Sequence, residues 1–263
     1  MPSASRCPTS LRAATEDFLR PLADGAVAVL LAPVCAACRT PLDQPTRGAV
    51  CASCWAGIVP ITPPCCRTCG DPLPTWRVVS LAEARCPRCR RREPLVSRAR
   101  AIGPYEGTLR AIVHALKYDR RPTIARHLAS RMRQAGAEVL AGADLVVAVP
   151  LHRSRERARG FNQARELGRH LGLPAVEALV RTRRTPPQAE LPAARRHANV
   201  RGAFAWRQDV AVKGRTVVLV DDVSTTGATL NACARPLLDA GAAEIRALTA
   251  ARAPLRSSLP NRQ

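Results

Sequence analysis

Apolar residues recur at helical spacing in GTLRAIVHALKY (107–118), and Pro122 opens a second predicted helix that runs to about Leu140. DLVVAVP (144–150) is a short, nearly continuous apolar run and predicts a buried strand. GFNQARELGRHLG (160–172) returns to the helical period and stops at glycine. The stretch 181–204 is basic, proline-broken and weakly periodic, so it reads as a long loop. GRTVVLVDD (214–222) is a second clear strand, residues 227–241 a helix closed by Gly241, and EIRALTAA (244–251) a third strand. Strands alternating with helices predict an α/β fold with a parallel sheet.

The same pattern divides the chain. Residues 1–34 read as a tail and a short helix, 35–95 as a small cysteine-rich module, 96–255 as the α/β domain and 256–263 as a tail. The run GAVAVLLAPV (25–34) is too short to cross a bilayer and follows acidic Glu16 and Asp17 with no clear cleavage site. A cytoplasmic protein without a membrane span is the expectation.

The chain of 263 residues carries a formal net charge of +21, and Lys117 and Lys213 are its only lysines. That field favours anionic partners, although an arginine-rich composition is also what a GC-rich genome produces. Aromatics make up 3% of the residues, so contact with a nucleic acid strand would be electrostatic rather than by base stacking.

Eight of the 11 cysteines form CxxC pairs: Cys35 with Cys38, Cys51 with Cys54, Cys66 with Cys69, and Cys86 with Cys89. A CxxC turn aims two thiolates at one point and two such turns complete a tetrahedral zinc site, so two structural Zn²⁺ ions are expected. All-cysteine sites leave no open position for catalysis. Sequential pairing is simplest; interleaved pairing, or Cys65 in place of Cys66, is left open at this stage. A disulfide framework would need an oxidising compartment that nothing else indicates. Cys233 lies in a helical pattern and reads as a small buried hydrophobe.

VVLVDDVSTTGATL (217–230) carries the densest chemistry. Asp221 and Asp222 stand where a strand of a parallel sheet is expected to end, which is where such sheets bind ligands. Ser224, Thr225, Thr226, Gly227, Ala228 and Thr229 follow, offering backbone amides and hydroxyls at a helix N-terminus, a phosphate cradle. A ligand with a phosphate beside hydroxyls, such as ribose 5-phosphate, suits both halves. No GxxxxGK[ST] and no GxGxxG occurs in the chain. Turn capping by one aspartate is the plainer alternative; it accounts for neither the second carboxylate nor the STTGAT run.

VVLVDDVSTTGAT resembles the phosphoribosyl-diphosphate (PRPP) binding motif of type I phosphoribosyltransferases. Together with VVAVPLHRSRERARGFNQ, HALKYDRR, the RTPPQ…GAF stretch and the CxxC ribbons, it is similar to the competence protein F (ComF) family over residues 33–251. The resemblance implies a phosphoribosyltransferase-like domain behind a double zinc ribbon. It implies Asp221 and Asp222 at the ribose hydroxyls and catalytic centre, and Ser224–Thr229 at the 5′-phosphate. It implies Arg159, Gly160, Asn162 and Gln163 at pyrophosphate, Gln188, Arg195 and Asn199 on a lid, and Lys117 as a phosphate contact. Mg²⁺ would accompany PRPP. The partners implied are single-stranded DNA and competence-machinery proteins, in DNA uptake for natural transformation. An active phosphoribosyltransferase using a small nucleophile is the alternative, and no base-recognition element is identifiable.

Overall fold

The computed structural model describes residues 10–74, 84–119, 121–186 and 191–253. The chain forms two compact units, Met1–Gly57 and Ile58–Gln263.

In the first unit, helix α1 (Ser10–Leu31) contains Pro21 and leads into the first cysteine knuckle. Asp24 on α1 is buried and its Oδ1 accepts a hydrogen bond from the Thr46 amide at 2.9 Å. That bond holds the short 3₁₀ turn Pro45–Arg47 against the helix. The knuckle is closed by a bridge between Val34 and Pro41, and the second pair of cysteines enters α2 (Ala52–Ala56).

The second unit opens with the other cysteine knuckle, closed by the equivalent bridge between Cys65 and Pro72, and a short helix α3 (Pro87–Arg91). The α/β chain then runs through β1 (Arg98–Pro104), α4 (Gly107–Tyr118), α5 (Ile124–Ala135), α6 (Ala137–Leu140) and β2 (Leu145–Ala148). It continues with α7 (Arg153–Arg159), α8 (Gln163–Arg169), β3 (Ala175–Val176), β4 (Leu179–Arg181), α9 (Ala193–Val200) and β5 (Phe204–Trp206). It ends with β6 (Thr216–Ser224), α10 (Ala228–Asp239) and β7 (Glu244–Arg252).

Five strands form a parallel sheet in the order β1-β7-β6-β2-β3. Val217, Val218, Leu219 and Val220 of β6 are fully buried, as expected of a parallel strand covered on both faces. Leu230, Cys233, Ala234 and Leu237 of α10 pack on one side of it. Amphipathic α4 contributes Leu109, Ile112, Val113 and Leu116 to the core.

Four features depart from the pattern reading. β1 was not expected, because Arg98 and Arg100 alternate with alanines and break the apolar run; both arginines are instead paired with Glu138. The helix from Pro122 is interrupted at Gly136, where a side-chain carbon would meet Leu248 Cδ1 of β7 at 2.3 Å. The basic segment RSRERAR forms α7, whose residues carry no buried face to mark it in the sequence. The long loop is framed by the antiparallel pair β4–β5 and contains α9.

Candidate ligand site and metal centres

The sheet's strands differ in length, and the difference makes the site. β2 stops at Ala148, opposite Val220, whereas β6 keeps pairing with β7 as far as Ser224 opposite Arg252. Asp221 and Asp222 therefore lie inside β6, two residues short of its end, because the equally long β7 supplies partners there. On the β2 side the same residues stand beyond the last pair.

The two carboxylates have different surroundings. Asp222 is buried and its Oδ1 accepts a hydrogen bond from Lys117 Nζ at 2.9 Å. Burial works against the Lys117 charge, but Asp222 outweighs it and holds the ammonium above the usual lysine range. Lys117 also lies over the Tyr105 ring, 5.7 Å from its centre. Asp221 Oδ1 accepts from the Asp222 amide at 2.8 Å. Burial first, and then the neighbouring Asp222 charge, pushes the Asp221 carboxyl up to about 7, with Lys117 and Arg181 pulling the other way. A carboxyl poised there donates or accepts a hydrogen bond near neutral pH.

After β6 the backbone turns through Thr225 and Thr226 to Gly227, which has φ +77 and caps α10. The Thr226 hydroxyl accepts weakly from the Ala228 amide at 3.4 Å. Asn231, one turn into α10, donates to the Gly227 carbonyl at 3.0 Å and accepts from the Leu95 amide at 2.6 Å, fixing the loop from behind. Ala228 and Thr229 form the first turn of this helix. The positive end of its dipole favours an anion.

The segment after β2 supplies cations. Asn162 caps α8 through the Ala164 amide at 2.9 Å and donates to the Val149 carbonyl at 3.1 Å, tying α8 to the end of β2. Gly160 closes α7 with φ +83. Arg159 donates to Gln163 Oε1 at 2.9 Å and lies over Tyr118, 5.3 Å from the ring centre, beside Lys117 in sequence. Asn199 on α9 donates to the Pro186 carbonyl at 3.2 Å, while Arg195 is exposed on the same helix. Gln188 lies outside the described residues. Ser224 is buried, its hydroxyl bonds to no protein atom, and the residue lines a cavity described below.

Two arginines at this site escaped the pattern reading. Arg155 donates to the Thr185 carbonyl at 2.7 Å, and Arg181 donates to the Thr185 hydroxyl. Burial and the repulsion of Arg155 lower the Arg181 pKa, while Asp221 acts to raise it, so the three charges share one environment. Arg181 opens the RTRR run, and only its place at the end of β4 separates it from its neighbours.

The cysteines form two clusters, Cys35, Cys38, Cys51 and Cys54 in the first unit and Cys66, Cys69, Cys86 and Cys89 in the second. Pairing is sequential, and Cys66 rather than Cys65 completes the second set. Tetrahedral zinc with Zn–S of about 2.3 Å sets sulfurs about 3.8 Å apart. The observed separations are 3.8 Å for Cys35–Cys54, 3.7 Å for Cys38–Cys51 and 3.6 Å for Cys69–Cys86. Both are Cys₄ zinc-binding sites. Backbone amides of Cys51 and Cys86 also point at Cys35 and Cys66 Sγ, the usual support for a metal-bound thiolate.

Residues 26–90 match the double zinc ribbon domain and residues 118–261 the phosphoribosyl transferase domain. DNA utilization protein YhgH of Salmonella typhi is 34% identical over 229 residues, covering 81% of this chain and 94% of that protein. Competence protein F of Haemophilus influenzae is 32% identical over 234 residues, covering 83% and 96%. Competence protein ComFC of Bacillus subtilis is 30% identical over 196 residues, covering 74% and 80%. With a sheet that lengthens into an acidic pair and a phosphate-type loop, and two Cys₄ clusters ahead of it, the chain belongs to the competence protein F family of phosphoribosyl transferase-domain proteins with a double zinc ribbon.

Proposed function

We propose that this protein binds PRPP with Mg²⁺ at the Asp221–Thr229 segment and handles single-stranded DNA during DNA uptake for natural transformation, in the cytoplasm. The observation that carries the reading is the meeting of Asp222, Lys117 and Asp221 beside a helix N-terminus opened by Gly227. The carboxylates suit ribose hydroxyls, which both donate and accept. Amides from Thr225 to Thr229 suit the 5′-phosphate. Arg155, Arg159 and Arg181 supply forked donors for a pyrophosphate, with Gly160, Asn162 and Gln163 shaping that segment and Gln188, Arg195 and Asn199 on the segment that would close over it. Lys117 serves by orienting Asp222 and adding positive charge next to the phosphates.

The hard carboxylate oxygens of Asp221 and Asp222 are the donor type Mg²⁺ takes, so the residues present fit the ion. When bound, it neutralises pyrophosphate charge. The chain's own contribution is to place the ribose between the acidic pair and the amide loop, and to keep a proton available at Asp221.

The DNA role is supported by the names of the relatives, competence and DNA utilization proteins, and by the +21 charge. Among the described residues no helix is long and apolar enough to cross a membrane. Competence-machinery proteins are the proposed partners. Binding of PRPP, followed by calorimetry with and without Mg²⁺, tests the reading; pyrophosphate release across a panel of nucleobases and amines would mark a transferase acting on a small nucleophile instead.

A further inference from the structure

Against the phosphate-type loop lies a cavity of about 440 Å³, lined by Ser224, Thr226, Gly227 and Ala228 but by neither Lys117 nor Asp222. The second zinc cluster, α9 and α10 wall it. Its inner end holds two polar side chains that are 5% exposed and lack a full set of partners: Ser224 Oγ and Arg252 Nη2 bond to no protein atom. The two residues stand opposite each other in the β6–β7 pairing. Buried donors left open in this way are uncommon and costly, and they mark a place where a ligand completes the bonding.

The charge around them points to the kind of ligand. Asp71 accepts from Arg252 Nε and, at 2.8 Å, from Arg88 Nη2, so one carboxylate orients two guanidinium groups. Arg92, Arg201 and Arg235 are exposed at the cavity's rim, against only Glu93 and Asp239 as acids. Glu93 is itself engaged by Arg85. His197 on α9 reports the excess: burial and then Arg92 and Arg88 lower its pKa. Leu95, Leu230 and Phe204 add an apolar wall. The volume is in the range of small-ligand pockets.

We propose that this cavity is a second phosphate site, adjoining the PRPP loop at Thr226, Gly227 and Ala228, in which Ser224 and Arg252 grip the phosphate of a nucleotide-sized group and the rim arginines guide it in. Two sources offer that chemistry, a free nucleoside monophosphate and the 5′-terminal phosphate of a DNA strand.

The test uses the full-length, zinc-loaded protein held in saturating ribose 5-phosphate. It is titrated calorimetrically with thymidine 5′-monophosphate and with a single-stranded oligonucleotide bearing either a 5′-phosphate or a 5′-hydroxyl. A further equivalent of phosphate ligand is expected. Ser224→Ala, which deletes a hydroxyl bonded to nothing, and Arg252→Met should each weaken it about tenfold or more, Ser224→Ala without a change in melting temperature. Monophosphate binding assigns a free nucleotide, and preference for the 5′-phosphorylated strand alone assigns a strand end; both support the site. Asp222→Asn, whose carboxylate does not line the cavity, should leave this binding unchanged; a fall in PRPP and monophosphate affinity together would place the monophosphate at the PRPP loop and overturn the proposal. Absence of any further equivalent, or equal binding by the parent and Ser224→Ala, overturns the proposal. So does loss of zinc from Arg252→Met without any phosphate binding by the parent, which would assign the guanidinium groups to the thiolate cluster.

Discussion

Lys117 Nζ sits 2.9 Å from Asp222 Oδ1, with both side chains almost withdrawn from solvent. This pair joins the last turn of α4 to β6. It also explains why one of only two lysines in an arginine-dominated chain falls here. A compact ammonium on a flexible stem reaches a single carboxylate oxygen where a planar guanidinium needs room for its fork.

Removing the lysine leaves a buried carboxylate uncompensated. Lys117→Met should cost roughly 3 kcal/mol, the lower end for breaking a buried pair. Lys117→Met combined with Asp222→Asn should cost less than the two single changes added together. Urea denaturation of the three variants measures this; additive losses would show that the two groups do not interact.

Asp221 gives the protein a pH dependence of opposite sign to that of an ordinary salt-bridged carboxylate. Its pKa is raised from 3.8 to about 7 by burial and by Asp222, so across that interval the folded state holds a proton that the unfolded chain has released. The folded state binds more protons there, and its stability falls as pH rises from about 3.8 to about 7, then levels. Asp221→Asn has no such titration. Its stability relative to the parent should therefore improve as pH rises from 4 to 8, read from melting temperatures across that series; a constant difference would contradict the shifted carboxyl.

The two zinc sites should differ in what they support. Cys51→Ser should lose one of two Zn²⁺ per chain and leave the α/β unit folded, because its cluster belongs to Met1–Gly57. Cys86→Ser should lose the other ion and also weaken the sheet's edge. The Thr68 carbonyl in that cluster accepts from Ala99 of β1, and Asp71 holds Arg252 of β7. Metal analysis paired with melting curves distinguishes them; equal effects of both changes on the α/β unit would contradict this assignment.

Much of this architecture is legible in the chain. The apolar runs of β2, β6 and β7 and the amphipathic pattern of α4 mark themselves, and CxxC spacing marks the four cysteine pairs, while the sequential pairing and the choice of Cys66 over Cys65 come from the fold. Other elements leave no such trace. β1 hides because Arg98 and Arg100 are satisfied by Glu138 on α6, a contact made only by the fold. α7 hides because it is nearly all charged. The partnership of Lys117 with Asp222, and of Arg155 with Thr185, depends on residues distant in sequence. Local pattern names these residue types without saying which of many arginines arrive at the site.

Single-stranded DNA binding should be weakly dependent on sequence and steeply dependent on salt. Each strand phosphate neutralised adds about 0.7 to the slope of log K against log salt concentration. Fluorescence anisotropy with a mixed-sequence oligonucleotide at several salt concentrations measures that slope. A slope near zero would contradict a charge-driven interaction.

The most direct test is calorimetric titration of the parent and of Asp222→Asn with ribose 5-phosphate and with 2-deoxyribose 5-phosphate, alongside PRPP with Mg²⁺. A charge-assisted hydrogen bond is worth roughly 1.5–3 kcal/mol, so Asp222→Asn should lose about tenfold to a hundredfold in PRPP affinity. The parent should prefer the ribose ligand and the variant should lose that preference, while Thr226→Val should weaken both sugar phosphates alike. If Asp222→Asn binds PRPP as the parent does, keeps the same preference and only melts earlier, the acidic pair is structural and this is not a ribose-phosphate site.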